Sequence, residues 1–170
     1  MKQNLQVVFM TAPPRLHIFE GAISDLMGKL NDYPHPEMLI RQLNAEIMRT
    51  QDGFYDELSH ALEFPKYFGR NLNALDECIT DLNWLSVSGP ILLVIKNSEM
   101  LLSNASNNLF EGFLAVFNDA GNQWSCPVEE GEEWDRPALP FHVIFQVESN
   151  TRKQFEIKLQ KFSVQIGEIE

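Results

Sequence analysis

The residues of this chain best suited to chemistry lie in a short segment rich in carboxylates, residues 71–82. With 100° per residue in a helix, the apolar side chains of this segment share one arc and the polar ones share the other. The polar arc holds Asn73, Asp76, Glu77, Thr80 and Asp81, and the segment contains no Lys or Arg. Carboxylates on a helix surface accept charge-assisted hydrogen bonds from basic groups, whereas a catalytic acid pair needs a concave pocket. The pattern therefore predicts a surface that binds a cationic partner, not an enzyme.

An acidic helix face is often no more than a solvated surface, so the distribution of charge along the chain matters. The 170 residues include 24 Asp and Glu and 13 Lys and Arg, a net charge of −11. Residues 61–148 contain 13 of the acids and 4 of the bases, a net charge of −9, and the remaining residues have a net charge of −2. This concentration favours a binding role for the segment.

The composition excludes several classes of protein. So acidic a chain does not bind nucleic acid directly through the phosphates, because that mode depends on Lys and Arg. Its 44% hydrophobic residues suffice for a folded domain of ordinary size. The longest apolar runs are far shorter than a membrane span, and the N-terminus lacks the features of a signal peptide. We expect a cytoplasmic protein with free thiols at its two cysteines, Cys78 and Cys126.

Other chemical motifs are missing from the sequence. The four histidines and two cysteines show no metal-ligand spacing, and neither a phosphate-binding loop nor a nucleophile elbow occurs. Cys78 falls on the apolar side of its helix, where a thiol is ordinarily inert. The sequence predicts no catalytic residue, no metal and no cofactor.

Strands and helices alternate along the chain, which is typical of an α/β fold with parallel strands. We predict an N-terminal extension, residues 1–36, with a strand at 5–10 and a helix that ends near 33–36. The remaining domain, residues 37–170, is predicted to hold strands near 41–48, 91–96 and 141–147. Helices are predicted from Asp52 or Gly53 to Pro65 and at 71–82, 98–102, 107–119 and 151–162, with an acidic loop at 121–140.

The segment from Pro65 to Ile79, Pro-Lys-Tyr-Phe-Gly-Arg-Asn-Leu-Asn-Ala-Leu-Asp-Glu-Cys-Ile, resembles the hallmark of the barstar family. Members of this family are intracellular inhibitors of barnase-like ribonucleases, and the resemblance extends over about residues 38–148. It implies a small three-stranded parallel sheet with helices packed on it, to which residues 1–36 add a strand and a helix.

The resemblance also implies how the protein acts. Family members place the acidic helix and the loop before it in the active-site cleft of a ribonuclease, where the carboxylates mimic substrate phosphates. The implied contact residues are Tyr67, Asn73, Asp76, Glu77 and Asp119, to which the helix face adds Thr80. Asn73 lacks a charge that the family has, and Asp76 replaces the family's tryptophan, so we expect a toxin other than barnase itself. Barnase and barstar are the standard example of association accelerated by complementary charge. Acceleration by charge is therefore part of the resemblance and not separate evidence for it.

Two functions of different classes remain open. The first is a bacterial immunity protein, or antitoxin, that binds one cognate toxin 1:1 and occludes its basic active site, with a ribonuclease as the expected target. The second is a barstar-fold interaction module or an inhibitor of a non-nuclease toxin, acting through the acidic loop or the N-terminal extension. Residues 1–36 could also govern dimerisation or complete the sheet.

Overall fold

Five parallel strands form one sheet in the order β2-β3-β4-β1-β5. They are β1 (Leu16–Glu20), β2 (Leu39–Asn44), β3 (Ile91–Lys96), β4 (Phe141–Val147) and β5 (Ile166–Ile169). The α-helices are α1 (Ile23–Asn31), α2 (Gln51–Ala61), α3 (Leu72–Asp81), α4 (Asn107–Trp124) and α5 (Arg152–Leu159). Short 3-10 helices span Leu5–Phe9, Ile47–Arg49, Asn83–Leu85 and Ser98–Met100. This computed structural model describes residues 1–33, 35 and 37–170.

The predicted three-stranded sheet is wrong in strand number, although the α/β class and the parallel arrangement are confirmed. The three expected strands are β2, β3 and β4, and both ends of the chain supply one more. β1 comes from the N-terminal segment and lies between β4 and β5, with Leu16 opposite Val143 and Ile166. The N-terminal segment therefore contributes an internal strand, and the C-terminal segment contributes the edge strand beside it.

The strand predicted at residues 5–10 is also wrong. Leu5–Phe9 is a 3-10 helix that begins at Asn4, whose side chain accepts a hydrogen bond from the Gln6 amide at 3.0 Å. The N-terminal strand follows the Pro13-Pro14 pair instead. The predicted end of the first helix involves Pro34 and Pro36, which lie outside the described residues.

Most other predicted elements are present with shifted ends. The strands at 91–96 and 141–147 are confirmed, and the strand predicted near 41–48 lies at Leu39–Asn44. α4 continues to Trp124 and not merely to Asp119, so Asp119 lies within the helix and the acidic loop is shorter than predicted. The C-terminal helix is Arg152–Leu159, within the predicted 151–162.

Helices cover both faces of the sheet. The alternating residues of β3 divide between the two sides: Ile91, Leu93 and Ile95 belong to the larger core and Leu92 and Val94 to the smaller one. The larger core is filled by α2, α3, α4 and α5, including Phe residues of α4 and β4. The smaller core is closed by α1 and the first 3-10 helix. Helices α3 and α4, which carry the predicted contact residues Asp76, Glu77 and Asp119, therefore lie on the same side of the sheet.

Within the described ranges, no helix combines the length and the apolar character that a membrane crossing requires.

Candidate partner-binding surface

The acidic segment forms helix α3, and the sequence around it explains where the helix begins and ends. The Asn71 side chain accepts a hydrogen bond from the Ala74 amide at 2.9 Å, an N-cap that satisfies one of the free amides of the first turn. Leu82 adopts a left-handed conformation with φ 46°, which terminates the helix. The cap and the terminator fix which side chains face outward.

The two faces of α3 differ as the 100° spacing predicts. Leu75, Cys78 and Ile79 are buried in the core. Asn73, Glu77 and Asp81 are exposed and Asp76 and Thr80 are half-buried. The carboxylates thus lie along the outer side of a helix that the core holds firmly in place.

Helix α4 packs beside α3 and is anchored to it near both ends. Near its start, Gly112 allows Leu72 to approach so closely that a Cβ on residue 112 would overlap the Leu72 side chain. At its end, the indole of Trp124 donates a hydrogen bond to the carbonyl of Ile79 at 2.9 Å. These two contacts show that α3 and α4 run in the same direction, and the charge of Asp119 acts on Asp76 in the middle of α3.

Asp76, Glu77 and Asp119 form an electrostatically coupled cluster, which we call the carboxylate cluster. Partial burial raises the pKa of Asp76, and the negative charges of Asp119 and then Glu77 raise it further. In the described part of the chain, no Lys or Arg forms an ion pair with any of these three residues. The free protein therefore holds like charges together without a cation to balance them.

Thr80 has less freedom than the sequence suggests. Its hydroxyl donates to the carbonyl of Asp76 at 2.7 Å and lies 3.3 Å from that of Glu77. With its proton committed to the helix backbone, the Thr80 hydroxyl can only accept a hydrogen bond from a partner.

The loop before α3 presents Tyr67 to solvent, with the residue 76% exposed. Its neighbour Phe68 packs inward against Phe64 and Tyr55, with ring centroids 4.8 Å and 5.8 Å away. The indole of Trp84 donates to the Leu62 carbonyl at 2.8 Å and fixes the start of the loop. An exposed tyrosine on an anchored loop suits a contact residue, because little entropy is lost when it binds.

Arg70 holds the other end of this loop. Its guanidinium lies 2.6 Å from the Asp56 carboxylate of α2 and 3.6 Å from that of Asp52. Arg70 adopts a left-handed conformation with φ 51°, as Glu63 does near the start of the loop with φ 53°. The Phe68 amide does bond to the Pro65 carbonyl at 2.9 Å, as a tight turn requires.

The structure brings together only part of the predicted contact set. Asp76, Glu77 and Asp119 form the carboxylate cluster, and Thr80 follows one turn later on α3. Asn73 lies at the opposite end of the helix, beside Tyr55 and Asn108 in a shallow depression. Among the described residues, no hydrogen bond or ring contact joins Tyr67 to the α3 side chains.

Sequence reasoning missed a cleft of about 440 Å³ at the C-terminal end of α3. Thr80 and Asp81 form one side of it and Glu133, Trp134 and Asp135 of the acidic loop form another. The density of acids and tryptophans in the loop was visible in the sequence, but its position beside α3 depends on the fold.

The thiols and histidines lie apart from this surface or within the core. Cys78 is buried, and burial, followed by the charges of Asp81 and Glu77, raises its thiol pKa, which disfavours the reactive thiolate. His17 and His142 are buried as a hydrogen-bonded pair between β1 and β4. Within the described residues, no three His, Cys, Asp or Glu side chains are grouped to hold a metal ion.

Comparisons with known proteins match the central part of the chain. The family described as "Barstar (barnase inhibitor)" matches residues 38–146. The Bacillus subtilis (strain 168) protein "Putative ribonuclease inhibitor YrdF" is 47% identical over 45 residues, which are 26% of this chain and 45% of that protein.

A solved structure also shares the arrangement of elements. "Structure of the Aeropyrum Pernix ORC2 protein (ADP form)" superposes with a TM-score of 0.55 at 11% identity, covering 97% of this chain and 43% of that one. At this identity the likeness is one of fold alone. The chain spans less than half the length of both proteins. The family match covers well over half of this chain, including β2, β3, α3 and α4, and the chain therefore belongs to the barstar family.

Proposed function

We propose that this protein is an immunity protein that binds a cognate bacterial toxin 1:1 in the cytoplasm and occludes its cationic active site. The expected toxin is a ribonuclease. The observation that carries this proposal is the carboxylate cluster of Asp76, Glu77 and Asp119, which forms no ion pair with a Lys or Arg among the described residues and lies inside the segment matched by the barnase-inhibitor family. The relative from Bacillus subtilis bears a ribonuclease-inhibitor name, which supports the same assignment.

The physical reason is the energy of like charges. In the free protein the charges of Asp119 and Glu77 repel that of Asp76, and partial burial of Asp76 weakens the screening by water. A ribonuclease cleft presents Lys, Arg and His side chains arranged for the phosphates of RNA. When those donors bind the carboxylates, charge-assisted hydrogen bonds replace the repulsion. The cluster thus acts as a mimic of phosphate charge.

We assign supporting contacts to Tyr67, Asn73 and Thr80. Tyr67, in the loop before α3, would supply exposed aromatic area. Near the two ends of α3, Asn73 would supply an uncharged amide and Thr80 would supply a hydrogen-bond acceptor. The role is binding, so none of these residues is assigned a catalytic step.

The test measures inhibition of two ribonucleases on a fluorogenic RNA substrate. One is barnase, and the other is the protein expressed from the reading frame beside this gene, which we expect to be a basic nuclease. The main variant, Glu77→Lys, is compared with Asp25→Lys on α1, which lies on the opposite side of the sheet. Both variants change the net charge from −11 by two units. Any general effect of charge is therefore the same in both.

Glu77→Lys should weaken inhibition of the cognate nuclease by more than about thirtyfold, equivalent to about 2 kcal/mol, because a central charged contact is reversed. Asp76→Ala should also weaken it, and Asp25→Lys should leave it nearly unchanged. Thermal unfolding shows whether each variant remains folded. Full inhibition by folded Glu77→Lys and Asp76→Ala variants, or no binding of a nuclease by the native chain, would contradict the proposal.

A further inference from the structure

The cleft at the end of α3 lies beside the proposed toxin-binding surface, between the C-terminal end of α3 with the residues that follow it and the acidic loop between α4 and β4. Thr80 and Asp81 of α3 line it on one side, so it begins where the acidic helix face ends. Its other side is formed by Glu133 and Trp134. A partner that covers α3 therefore also reaches the mouth of the cleft.

The loop that builds this cleft is ordered by its own hydrogen bonds. The Asp135 carboxylate accepts from the amides of Glu130 at 2.9 Å and Gly131 at 2.8 Å. Val128 and Arg136 form an antiparallel bridge through amide-to-carbonyl bonds of 2.9 Å and 3.1 Å. The loop thus has a defined shape in the free protein.

Trp134 is the most prominent side chain of the cleft. It is 59% exposed, and its indole donates to the Glu130 carboxylate at 2.9 Å. An exposed tryptophan held in one orientation is rare on a surface that contacts only water, and tryptophan is enriched at the centres of protein interfaces. The exposed ring face is free to receive a cation or an aromatic group.

The charges around the cleft favour a cation over an aromatic group as the ligand of Trp134. Asp81, Glu133 and Asp135 contribute carboxylates. The basic residue that lines the cleft, Arg136, is already occupied: it stacks over Trp124 at 4.0 Å and donates to the Cys126 carbonyl at 3.1 Å. An incoming guanidinium would stack on the Trp134 ring in the same way as Arg136 stacks on Trp124. Arginine suits the site best, because its planar group stacks on indole while it pairs with carboxylates.

We infer that this cleft binds an arginine side chain of the toxin, stacked on Trp134 and paired with Asp81 and Glu133, as a second contact beside the carboxylate cluster. The identity of the partner rests on the proposed function. The acidic loop thereby becomes a determinant of which toxin is bound, since it would accept only a toxin with an arginine at the matching distance from its active site.

The test uses the full chain labelled with ¹⁵N and needs no toxin. The probe is N-acetyl-arginine amide, and the uncharged control is N-acetyl-citrulline amide, which has nearly the same shape. The chain has three tryptophans, so the indole N–H signals of Trp84, Trp124 and Trp134 can be followed together. Trp84 lies outside the cleft and serves as the internal reference.

The arginine probe should shift the Trp134 indole signal in a saturable manner, and the citrulline probe should not. The double variant Asp81→Asn, Glu133→Gln should raise the dissociation constant about fivefold or more, since it removes two charges with little change in shape. Asp25→Asn, which removes a charge on α1 at the opposite side of the sheet, should leave the response unchanged. Asp135 is not substituted because it orders the loop.

Three results would overturn the inference: no saturable shift at Trp134, an equal shift with citrulline, or an unchanged dissociation constant in the double variant. None of them bears on inhibition of a ribonuclease by the carboxylate cluster. Conversely, a normal arginine response in a protein that inhibits no ribonuclease would contradict the proposed function and the toxin as the occupant.

Discussion

Asp76 of α3 and Asp119 of α4 are coupled across the helix pair, and after partial burial the Asp119 charge is the main reason that the pKa of Asp76 is raised. A carboxyl group whose pKa is higher in the folded than in the unfolded state binds protons more readily when folded. The contribution of this group to stability therefore falls as the pH rises from its unfolded-state pKa to its folded-state pKa. Above the folded-state pKa the loss of stability is complete. At neutral pH the cluster costs the free protein stability.

Replacing Asp119 by Asn should therefore stabilise the free protein at neutral pH by a few tenths of a kcal/mol and weaken toxin binding. Removing the Asp119 charge should also lower the pKa of Asp76. Carboxyl NMR titration and urea denaturation measure the two effects. Glu111→Gln removes the same charge from the same helix and is the matched control. Lower stability in Asp119→Asn, with an unchanged Asp76 titration, would refute the coupling.

The loop that carries Tyr67 offers a second test, because either side of its anchoring ion pair can be removed. Arg70→Gln makes the chain more negative and Asp56→Asn makes it less negative, yet both break the 2.6 Å contact between these residues. If the ion pair orders the loop for binding, both variants should weaken the complex severalfold and speed hydrogen exchange in residues 62–71.

Changes of opposite sign in the two affinities would instead mean that only overall charge matters. Affinities are measured by calorimetry with the cognate nuclease, and exchange is followed by mass spectrometry on the free chain. Thermal unfolding should change little in either variant, because exposed ion pairs contribute little to global stability.

The buried histidines give the protein a defined sensitivity to acid. His17 Nε2 and His142 Nδ1 are 2.9 Å apart, and His142 Nε2 is 2.8 Å from the carbonyl of Met10. Since His142 must donate to that carbonyl, its Nδ1 accepts and His17 donates. Burial is the main cause that lowers the pKa of His17 to about 3 and that of His142 to about 4, and the charge of Arg15 lowers both further.

Both pKa values are lower in the folded state than the ordinary value of 6.5, so the stability is present above about pH 6.5 and is lost as the pH falls towards 4. The pair should account for roughly 5 kcal/mol of the loss between pH 7 and pH 4.5, measured by urea denaturation. His142→Gln should remove about half of this dependence, and His60→Gln, at an exposed residue of α2, should retain it. Equal slopes in all three proteins would contradict this account.

The sequence predicted best those parts in which one local pattern decides the structure. β3 begins with five consecutive apolar residues, β4 is mostly apolar, and the polar arc of α3 follows from its spacing. The N-terminal strand was misplaced because residues 5–10 are apolar enough for a strand, whereas the 3-10 helix depends on the Asn4 cap. β5 was missed because its four residues, Ile-Gly-Glu-Ile, become a strand only by pairing with β1.

The candidate site likewise combines features that the local sequence predicts with features that depend on the fold. The carboxylates of α3 could be assigned to one face from the sequence, and Asp119 was placed by family resemblance. Their coupling, the commitment of the Thr80 hydroxyl and the cleft beside Trp134 all depend on how α3, α4 and the acidic loop meet. Such relationships between distant segments follow from tertiary packing, which local periodicity does not encode.

Arg152 joins the two strands that the sequence did not place. Its guanidinium contacts Glu20 of β1 at 2.7 Å, Glu168 of β5 at 2.8 Å and Glu156 of α5 at 2.7 Å. Its side chain is only 19% exposed, and hydrogen bonds to these carboxylates, that of Glu168 first, raise its pKa. Arg152 thereby ties both ends of the chain to the sheet.

Arg152→Ala should lower the free energy of unfolding by about 2 kcal/mol, because it leaves three carboxylates together without their cation. Arg152→Lys should recover only part of this, since an ammonium group cannot match three carboxylates as a guanidinium does. Hydrogen exchange should accelerate first in β5, which lies at the edge of the sheet. Arg49→Ala, which removes a single exposed hydrogen bond to Ser103, is the control. An equal effect of the Arg49 and Arg152 substitutions would show that the three carboxylates do not hold the terminal strand.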